Sequence, residues 1–156
     1  VKNMHLVWIK HSLNCLNRTN TFIQKIKDDG TLDAICAKYF GDGEPEAVES
    51  AELDSSKDQL VVATNAAFEP FEYTKGDQYY GIDMEIAKLL ADELGKELVI
   101  QNMDFDAVCL SVSQQKCDIA MAGLTINEER QEYVTIYRFL LSGISETDCA
   151  KCRYNI

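Results

Sequence analysis

The chain has 156 residues, 46% of them hydrophobic, which is enough for one domain with a single core. Its 26 acidic residues outnumber 15 basic ones and leave a formal net charge of -11, which disfavours nucleic acid and anionic lipid as partners. The longest apolar stretches, such as residues 60–63 and 119–122, are far shorter than the roughly 20 residues that span a bilayer.

Residues 1–20 show no clear period and stay an unassigned N-terminal segment. Charged residues interrupt their apolar ones, so they lack the apolar core of a secretory signal peptide. We expect that a leader was either removed or never present.

Residues 21–41 are predicted to form two helices that meet at Asp28-Asp29-Gly30. Apolar side chains recur on one face of each helix, namely Phe22, Ile23 and Ile26 in the first and Leu32, Ile35 and Tyr39 in the second. Thr31 is expected to cap the second helix, and Gly41 is expected to end it.

Residues 42–58 are rich in Glu, Asp, Ser and Gly and contain Pro45. Because this stretch shows no sustained period, it is predicted to be an acidic, solvated linker.

Residues 59–135 alternate between short apolar strands and amphipathic helices, which predicts an α/β fold with a mostly parallel sheet flanked by helices. The predicted strands cover residues 60–64, 97–101 and 117–122, and the predicted helices cover residues 81–94 and 106–115. A further helix is expected to begin at Asn127 and run toward Tyr133. Residues 136–156 show no pattern and form an unassigned tail.

Ligands of such a sheet bind in the loops that follow the carboxyl ends of the strands. Those loops carry the candidate ligand-binding residues Asn65, Phe68, Phe105, Gly123, Thr125 and Arg130. A guanidinium group can hold a carboxylate through two hydrogen bonds, an amide oxygen can accept from an ammonium group, and phenyl rings can enclose a side chain. This set suits a small zwitterionic amino acid.

Each candidate also has an ordinary structural explanation. The two phenylalanines can anchor loops to the core, Arg130 can pair with a surface acid, and Asn65 can be a turn residue. The residues alone leave these alternatives open.

Three motifs resemble the first lobe of the polar amino-acid family of bacterial extracellular solute-binding proteins, which serve ABC importers. They are Val-Val-Ala-Thr-Asn-Ala-Ala-Phe-Glu-Pro-Phe-Glu-Tyr (61–73), Gly-Ile-Asp-Met-Glu-Ile (81–86) and Cys-Asp-Ile-Ala-Met-Ala-Gly-Leu-Thr-Ile-Asn-Glu-Glu-Arg (117–130). The resemblance implies a three-layer lobe of the periplasmic-binding-protein type, an extracytoplasmic location, an amino-acid ligand and an ABC transporter permease as partner. It places all six candidates on ligand positions, although the family usually has Asp where Asn65 stands.

Residues 22–41 resemble the C-terminal end of the same family, yet here they precede the lobe. The order suggests either a junction between tandem binding proteins or a permuted single lobe, with the helical segment packed on the lobe that follows. The family's second lobe is missing after residue 135, so the open site is also a candidate surface for a homo-oligomer.

Two other functions remain as alternatives. A remnant lobe could act as a structural or self-associating module without a ligand, and Cys149 and Cys152 could serve a redox or metal site, although their spacing alone supports this weakly. Cys36, Cys109 and Cys117 fall on apolar faces and are expected to be buried and reduced. We expect no catalytic residues, cofactor or metal.

Overall fold

A computed structural model describes the backbone of residues 4–8, 13–124 and 135–139 and the side chains of residues 17–124. In chain order the secondary structure comprises β1 (Met4–Trp8), α1 (Leu13–Asp28), α2 (Thr31–Phe40), β2 (Gln59–Thr64), β3 (Ala67–Phe68), β4 (Glu72–Lys75), β5 (Gln78–Tyr80), α3 (Ile82–Leu94), β6 (Glu97–Asn102), α4 (Phe105–Ser113), β7 (Ile119–Met121) and β8 (Thr135–Phe139).

Five strands form one sheet in the order β6-β2-β7-β1-β8. β2 pairs in parallel with β6 and β7, whereas β1 is antiparallel to both β7 and β8. Since two successive antiparallel pairings restore the direction of β7, β8 runs the same way as β7, and four of the five strands are aligned. The prediction of an α/β fold with a mostly parallel sheet is confirmed.

Alternate residues of β2 enter two different hydrophobic cores. Leu60 and Val62 belong to the core covered by α1, α2 and α3, whereas Val61 and Ala63 belong to the core covered by α4. Successive side chains of a strand point to opposite faces, so a strand covered on both faces is apolar throughout. Helices on both faces of the sheet produce the expected three layers.

The elements predicted between residues 60 and 115 lie within two residues of those observed. β7 is shorter than the predicted strand at residues 117–122. Asp118 explains part of the difference, because its Oδ2 accepts the Val61 N–H at 2.8 Å while its own N–H donates to the Val61 carbonyl at 2.8 Å. A side-chain carboxylate thus replaces a strand-to-strand bond at the start of β7.

The helical segment packs against α3, as expected. Phe22, Ile23 and Ile35 are buried in the same core as the inner face of α3. Two cations of α1 bind the end of that helix, where Lys25 Nζ lies 2.8 Å from Glu93 Oε2 and Arg18 Nη2 donates to the Glu93 carbonyl at 2.8 Å.

The two helices differ from the prediction at their starts. α1 already begins at Leu13, inside the segment left unassigned. The cap assigned to Thr31 is wrong, because Gly30 occupies the cap position with a φ of 81° and Thr31 is the first helical residue. Asp29 Oδ1 accepts the Thr31 N–H at 2.9 Å instead. Gly41 ends α2 as predicted.

The acidic linker follows the outer edge of the sheet. The Ala51 N–H donates to the Leu98 carbonyl at 2.8 Å, and Ser50 Oγ accepts the Ile100 N–H at 2.8 Å. Val48 is buried and bridges to Tyr79. The linker therefore occupies backbone groups of edge strand β6 that would otherwise face solvent, so it is more than a solvated connection.

Several strands were not predicted from the sequence. β3, β4 and β5 form a small antiparallel sheet between the first predicted strand and the first predicted helix of the lobe, where no element was predicted. β1 and β8 lie in segments that showed no pattern. The helix expected from Asn127 to Tyr133 lies outside the described residues.

Tyr39 joins α2 to the start of α3, and its removal tests that contact. Its buried hydroxyl accepts the Gly81 N–H at 3.0 Å and donates to Glu85 Oε1 at 2.8 Å. Tyr39→Phe leaves both groups without this partner, so we expect a loss of about 1–3 kcal/mol in the free energy of unfolding. Urea denaturation measures it.

Tyr80→Phe is the matched control, because the Tyr80 hydroxyl makes only an exposed hydrogen bond to Gln78 at 3.2 Å. We expect its effect to stay within about 0.5 kcal/mol. Equal losses in the two variants would show that the Tyr39 hydroxyl does not join the helices.

Candidate functional site

The loops after β2 and β6 are tied together at the carboxyl edge of the sheet. The Met103 N–H donates to the Thr64 carbonyl at 3.0 Å, and the Ala66 N–H donates to Asn102 Oδ1 at 2.9 Å. Asn65 Nδ2 donates to the Met103 carbonyl at 2.9 Å. These bonds fix the first two predicted ligand loops relative to each other.

One end of the Asn65 side chain thus takes part in holding these loops together. With its amide nitrogen bound to Met103, the side chain keeps Oδ1 as a hydrogen-bond acceptor. An ammonium group is the kind of donor that this oxygen could accept from, so the predicted role of Asn65 is compatible with its place in the loop.

Phe68 and Gly123 meet at this edge. The Phe68 ring is half-buried and stacks on the buried Phe71 ring with centroids 5.3 Å apart and an angle of 20°. A Cβ atom at Gly123 would lie 3.4 Å from Cδ1 and Cε1 of Phe68. The loop after β7 therefore begins directly against the ring.

The other candidates lie further along the edge or outside the described residues. Phe105 is the first residue of α4, after β6, and is 42% exposed. Thr125 and Arg130 lie in residues 125–134, which the structure does not describe. The structure thus brings Asn65, Phe68, Phe105 and Gly123 to one edge of the sheet.

A buried carboxyl pair lies close to Gly123. Glu72 in β4 is 1% exposed and Asp83 in the first turn of α3 is 3% exposed, and their side chains are hydrogen bonded to each other. Glu72 Oε1 lies 3.6 Å from the point where a Cβ atom of Gly123 would stand, so the pair is close to the start of the loop after β7.

Burial raises the pKa of both carboxyl groups. The pKa of Glu72 is raised first by burial and then by the negative charge of Asp83 and the hydrogen bond to it. Burial also raises the pKa of Asp83. Burial and mutual repulsion therefore favour a proton held by the pair at neutral pH.

Sequence reasoning missed this pair, although one signal was present. Asp83 lies on the same helical face as Ile86, Ala87 and Leu90, so it is an acidic residue on the apolar stripe of α3. Glu72 gave no such signal, because it lies between Phe71 and Tyr73 in a strand too short to show alternation.

Among the described residues, no group of three or more His, Cys, Asp or Glu side chains could hold a metal ion. The predicted burial of Cys36, Cys109 and Cys117 is confirmed. None of the helices in the described part of the chain is long and apolar enough to span a membrane.

Comparison with known families gives a match over most of this lobe. Residues 60–144, more than half of the chain, match the model of the bacterial extracellular solute-binding proteins, family 3.

Individual relatives cover shorter parts. The arginine-binding extracellular protein ArtP of Bacillus subtilis is 37% identical over 81 residues, which are 52% of this chain and 32% of ArtP. Cyclohexadienyl dehydratase of Pseudomonas aeruginosa is 38% identical over 73 residues, or 46% of this chain and 27% of that enzyme. The chain thus spans about a third of the length of these relatives.

Among solved structures, the arginine-bound domain 1 of TmArgBP is 37% identical. The match covers 52% of this chain and 67% of that one, with a TM-score of 0.46.

The buried carboxyl pair predicts how stability depends on pH. Because the pKa of Glu72 is raised in the folded state, the folded protein holds this proton more tightly than the unfolded chain. The contribution is fully present below the unfolded pKa and is lost as pH rises toward the folded pKa. Between about pH 5 and 8 we expect the free energy of unfolding to fall with pH more steeply in the wild type than in Glu72→Gln, by up to about 1.4 kcal/mol per pH unit.

Urea denaturation at several pH values measures the difference between the two proteins. Glu44→Gln is the control, since it makes the same replacement at an exposed position. Parallel pH profiles for wild type and Glu72→Gln would contradict a proton held on Glu72.

Proposed function

The chain belongs to the bacterial extracellular solute-binding proteins of family 3, and from this premise we propose that its lobe binds a small amino acid without covalent chemistry, with arginine as the first ligand to test. ArtP, a relative 37% identical over 81 residues, is named as an arginine-binding protein. The observation that carries the proposal is the position of the Phe68 ring beside Gly123 at the carboxyl edge of the sheet.

A phenyl ring suits a guanidinium group. The guanidinium group of arginine is planar and always charged, and it stacks on aromatic rings through cation–π attraction. Phe71 supports the Phe68 ring from behind, with centroids 5.3 Å apart, so the ring is held in place before a ligand arrives. Phe105, at the same edge, supplies a second exposed ring.

The charge of the protein favours a cationic side chain. The net charge is -11, and exposed Glu69 and Asp104 each adjoin one of the two candidate rings. Such a field raises the local concentration of cationic ligands and repels anionic ones. A cationic amino acid is therefore favoured over glutamate or aspartate.

The backbone end of the ligand is assigned to the loop after β7. In this proposal Arg130 holds the α-carboxylate through two hydrogen bonds, assisted by Thr125. Asn65 Oδ1 accepts from the α-ammonium group. Gly123 contributes its close contact with Phe68, whose ring carbons lie 3.4 Å from the point where a Cβ atom would stand.

In this proposal a partner covers the ligand at the edge of the sheet. The strands β1 and β8 both reach the edge of the sheet that carries the site, because Met4 pairs with Phe139 at the carboxyl end of β8. A second lobe, or a second copy of the chain, placed at this edge would cover the ligand. In the transport role that we propose, such a closed binding protein acts outside the cytoplasm and delivers the amino acid to an ABC permease.

Catalysis is not part of the proposal, although one relative is a dehydratase. Glu72 and Asp83, the two carboxyl groups close to Gly123, are almost fully buried and engaged with each other. A general acid or base must come within hydrogen-bonding reach of its substrate, and these two groups point into the protein.

Calorimetric titration with L-arginine tests the proposal and the role of Arg130. We expect the wild type to bind and Arg130→Ala to bind at least about tenfold more weakly, which corresponds to about 1.4 kcal/mol. Arg18→Ala is the control, since it removes the same charge at a residue that binds the far end of α3. If the wild type gives no heat with any common amino acid, the lobe is a remnant module, and light scattering then tests its self-association.

A second titration isolates the contribution of the Phe68 ring. Citrulline has nearly the shape of arginine but no charge, so only arginine gains cation–π attraction. For Phe68→Leu we expect a loss of about 0.5–2 kcal/mol in binding free energy for arginine and a smaller loss for citrulline. Equal losses for the two ligands would assign Phe68 a purely apolar role.

A further inference from the structure

The Phe68 ring of the proposed site lies beside the carboxyl group of Glu72. The two residues are paired across the ladder between β3 and β4, so their side chains leave the small sheet on the same face. Cδ1 and Cε1 of Phe68 lie 3.4 Å from the point where a Cβ atom of Gly123 would stand, and Glu72 Oε1 lies 3.6 Å from the same point. A charge placed on the Phe68 ring is therefore also close to the carboxyl group of Glu72.

Ionising both Glu72 and Asp83 is costly in this position. Glu72 is 1% exposed and Asp83 is 3% exposed, so water stabilises neither carboxylate. Apart from the pair itself, no group among residues 17–124 donates a hydrogen bond to Glu72 Oε2 or Asp83 Oδ1. The negative charge of Asp83 also acts against that of Glu72. Burial and proximity thus favour a pair that keeps a proton.

Ionisable groups on the neighbouring helices are neutral or engaged elsewhere. On α2, the Cys36 thiol faces Asp83, and this thiol stays neutral because burial raises its pKa. Glu85, in the same turn of α3 as Asp83, is bound by Lys38 Nζ at 2.9 Å and by the Tyr39 hydroxyl at 2.8 Å. The two cations of α1 bind the far end of α3.

The strands around the pair carry few ionisable groups. β2, β3 and β7 contain no titratable side chain, and the one in β6, Glu97, forms an exposed ion pair. On β4, Lys75 Nζ lies over the Tyr73 and Tyr80 rings, 5.3 Å and 5.4 Å from their centroids. Glu69 is exposed and acts on Tyr73. None of these groups places a positive charge against the pair.

We propose that Glu72 and Asp83 couple the site to the charge of its ligand, so that a cationic amino acid on the Phe68 ring drives a proton from the pair into solvent, whereas a neutral amino acid of the same shape does not. The pair gains one negative charge opposite the guanidinium group. The proposal rests on the function proposed above, and it makes the pair a determinant of charge selectivity that does not contact the ligand.

The sign of the effect follows from the charges. A nearby guanidinium group favours the more negative state of the pair, so it lowers the pH at which the pair loses its proton. Arginine affinity then rises with pH through that interval, because at higher pH the pair has already lost the proton that arginine must otherwise displace. A shift of about one pH unit corresponds to about a tenfold rise in affinity across the interval and to the release of about half a proton at its middle.

Calorimetric titrations of the wild type with L-arginine and L-citrulline test the proposal. Each is performed between about pH 6 and 9 in two buffers of different ionisation enthalpy, since the dependence of the heat on the buffer counts the protons released. The two ligands share an α-ammonium group, so its titration cancels in the comparison. We expect arginine to release up to about half a proton more than citrulline, and the ratio of the two affinities to rise about tenfold with pH. Equal proton release at every pH overturns the proposal.

Glu72→Gln tests whether the pair is the source of the proton. The variant keeps the size of the side chain but removes one of the two titrating groups, so the remaining Asp83 no longer has a like charge beside it. We expect the excess proton release with arginine to fall below about a third of the wild-type value at pH 8. Glu44→Gln makes the same replacement at an exposed position and should keep the wild-type value. An undiminished excess in Glu72→Gln assigns the proton to another group and overturns the proposal.

The two proposals fail in different ways. If neither ligand binds, the proposed function fails, and the charge coupling fails with it. If both ligands bind and release equal numbers of protons, the amino-acid site stands and only the coupling is excluded. If arginine alone binds, its own proton release at pH 7 is compared with zero. Should Glu72→Gln not fold, the wild-type titrations decide the question.

Discussion

The parallel pairing of β2 with β6 on one side and β7 on the other is the constraint on which the other features depend. It places β2 in the interior of the sheet, where both faces need a covering helix, and so creates two cores from one strand. It also brings the carboxyl ends of three strands to one edge. Loops that are distant along the chain become neighbours there, which is the usual origin of a ligand site in an α/β fold.

The edge of the sheet that carries the proposed site is supported from several directions. Phe71 stacks on Phe68, and hydrogen bonds join the loops after β2 and β6. The proposed site is therefore arranged before any ligand is present. Prior arrangement of this kind reduces the entropy that a ligand must lose on binding.

The helical segment of α1 and α2 packs on elements that follow it in the chain. α1 and α2 precede the lobe in sequence, yet they cover α3 and bury their apolar faces in its core. The linker between them and β2 follows the edge of β6 rather than crossing the site. Packing depends on complementary faces and on a connection of sufficient length, so either a permuted lobe or a tandem junction could use these same surfaces.

Sequence periodicity alone determined the central part of this protein. The apolar run of β2 and the apolar stripe of α3 can be recognised from short stretches of sequence, because a buried segment has apolar residues at its buried positions. The loops that follow the strands then indicated where Asn65, Phe68, Phe105 and Gly123 would gather. The motifs that resemble a known family led to the expectation of an amino-acid ligand, which periodicity alone could not provide.

Only the tertiary structure determined the features that depend on partners far away in the chain. β1 and β8 showed no pattern of their own, and they are strands because Met4 to Trp8 pair with Phe139 to Thr135. Glu72 and Asp83 are eleven positions apart, and the pKa of each is raised because β4 and α3 bury them together. A local pattern reports whether a residue is buried, whereas its hydrogen-bond partner and its charge state depend on what the fold places beside it.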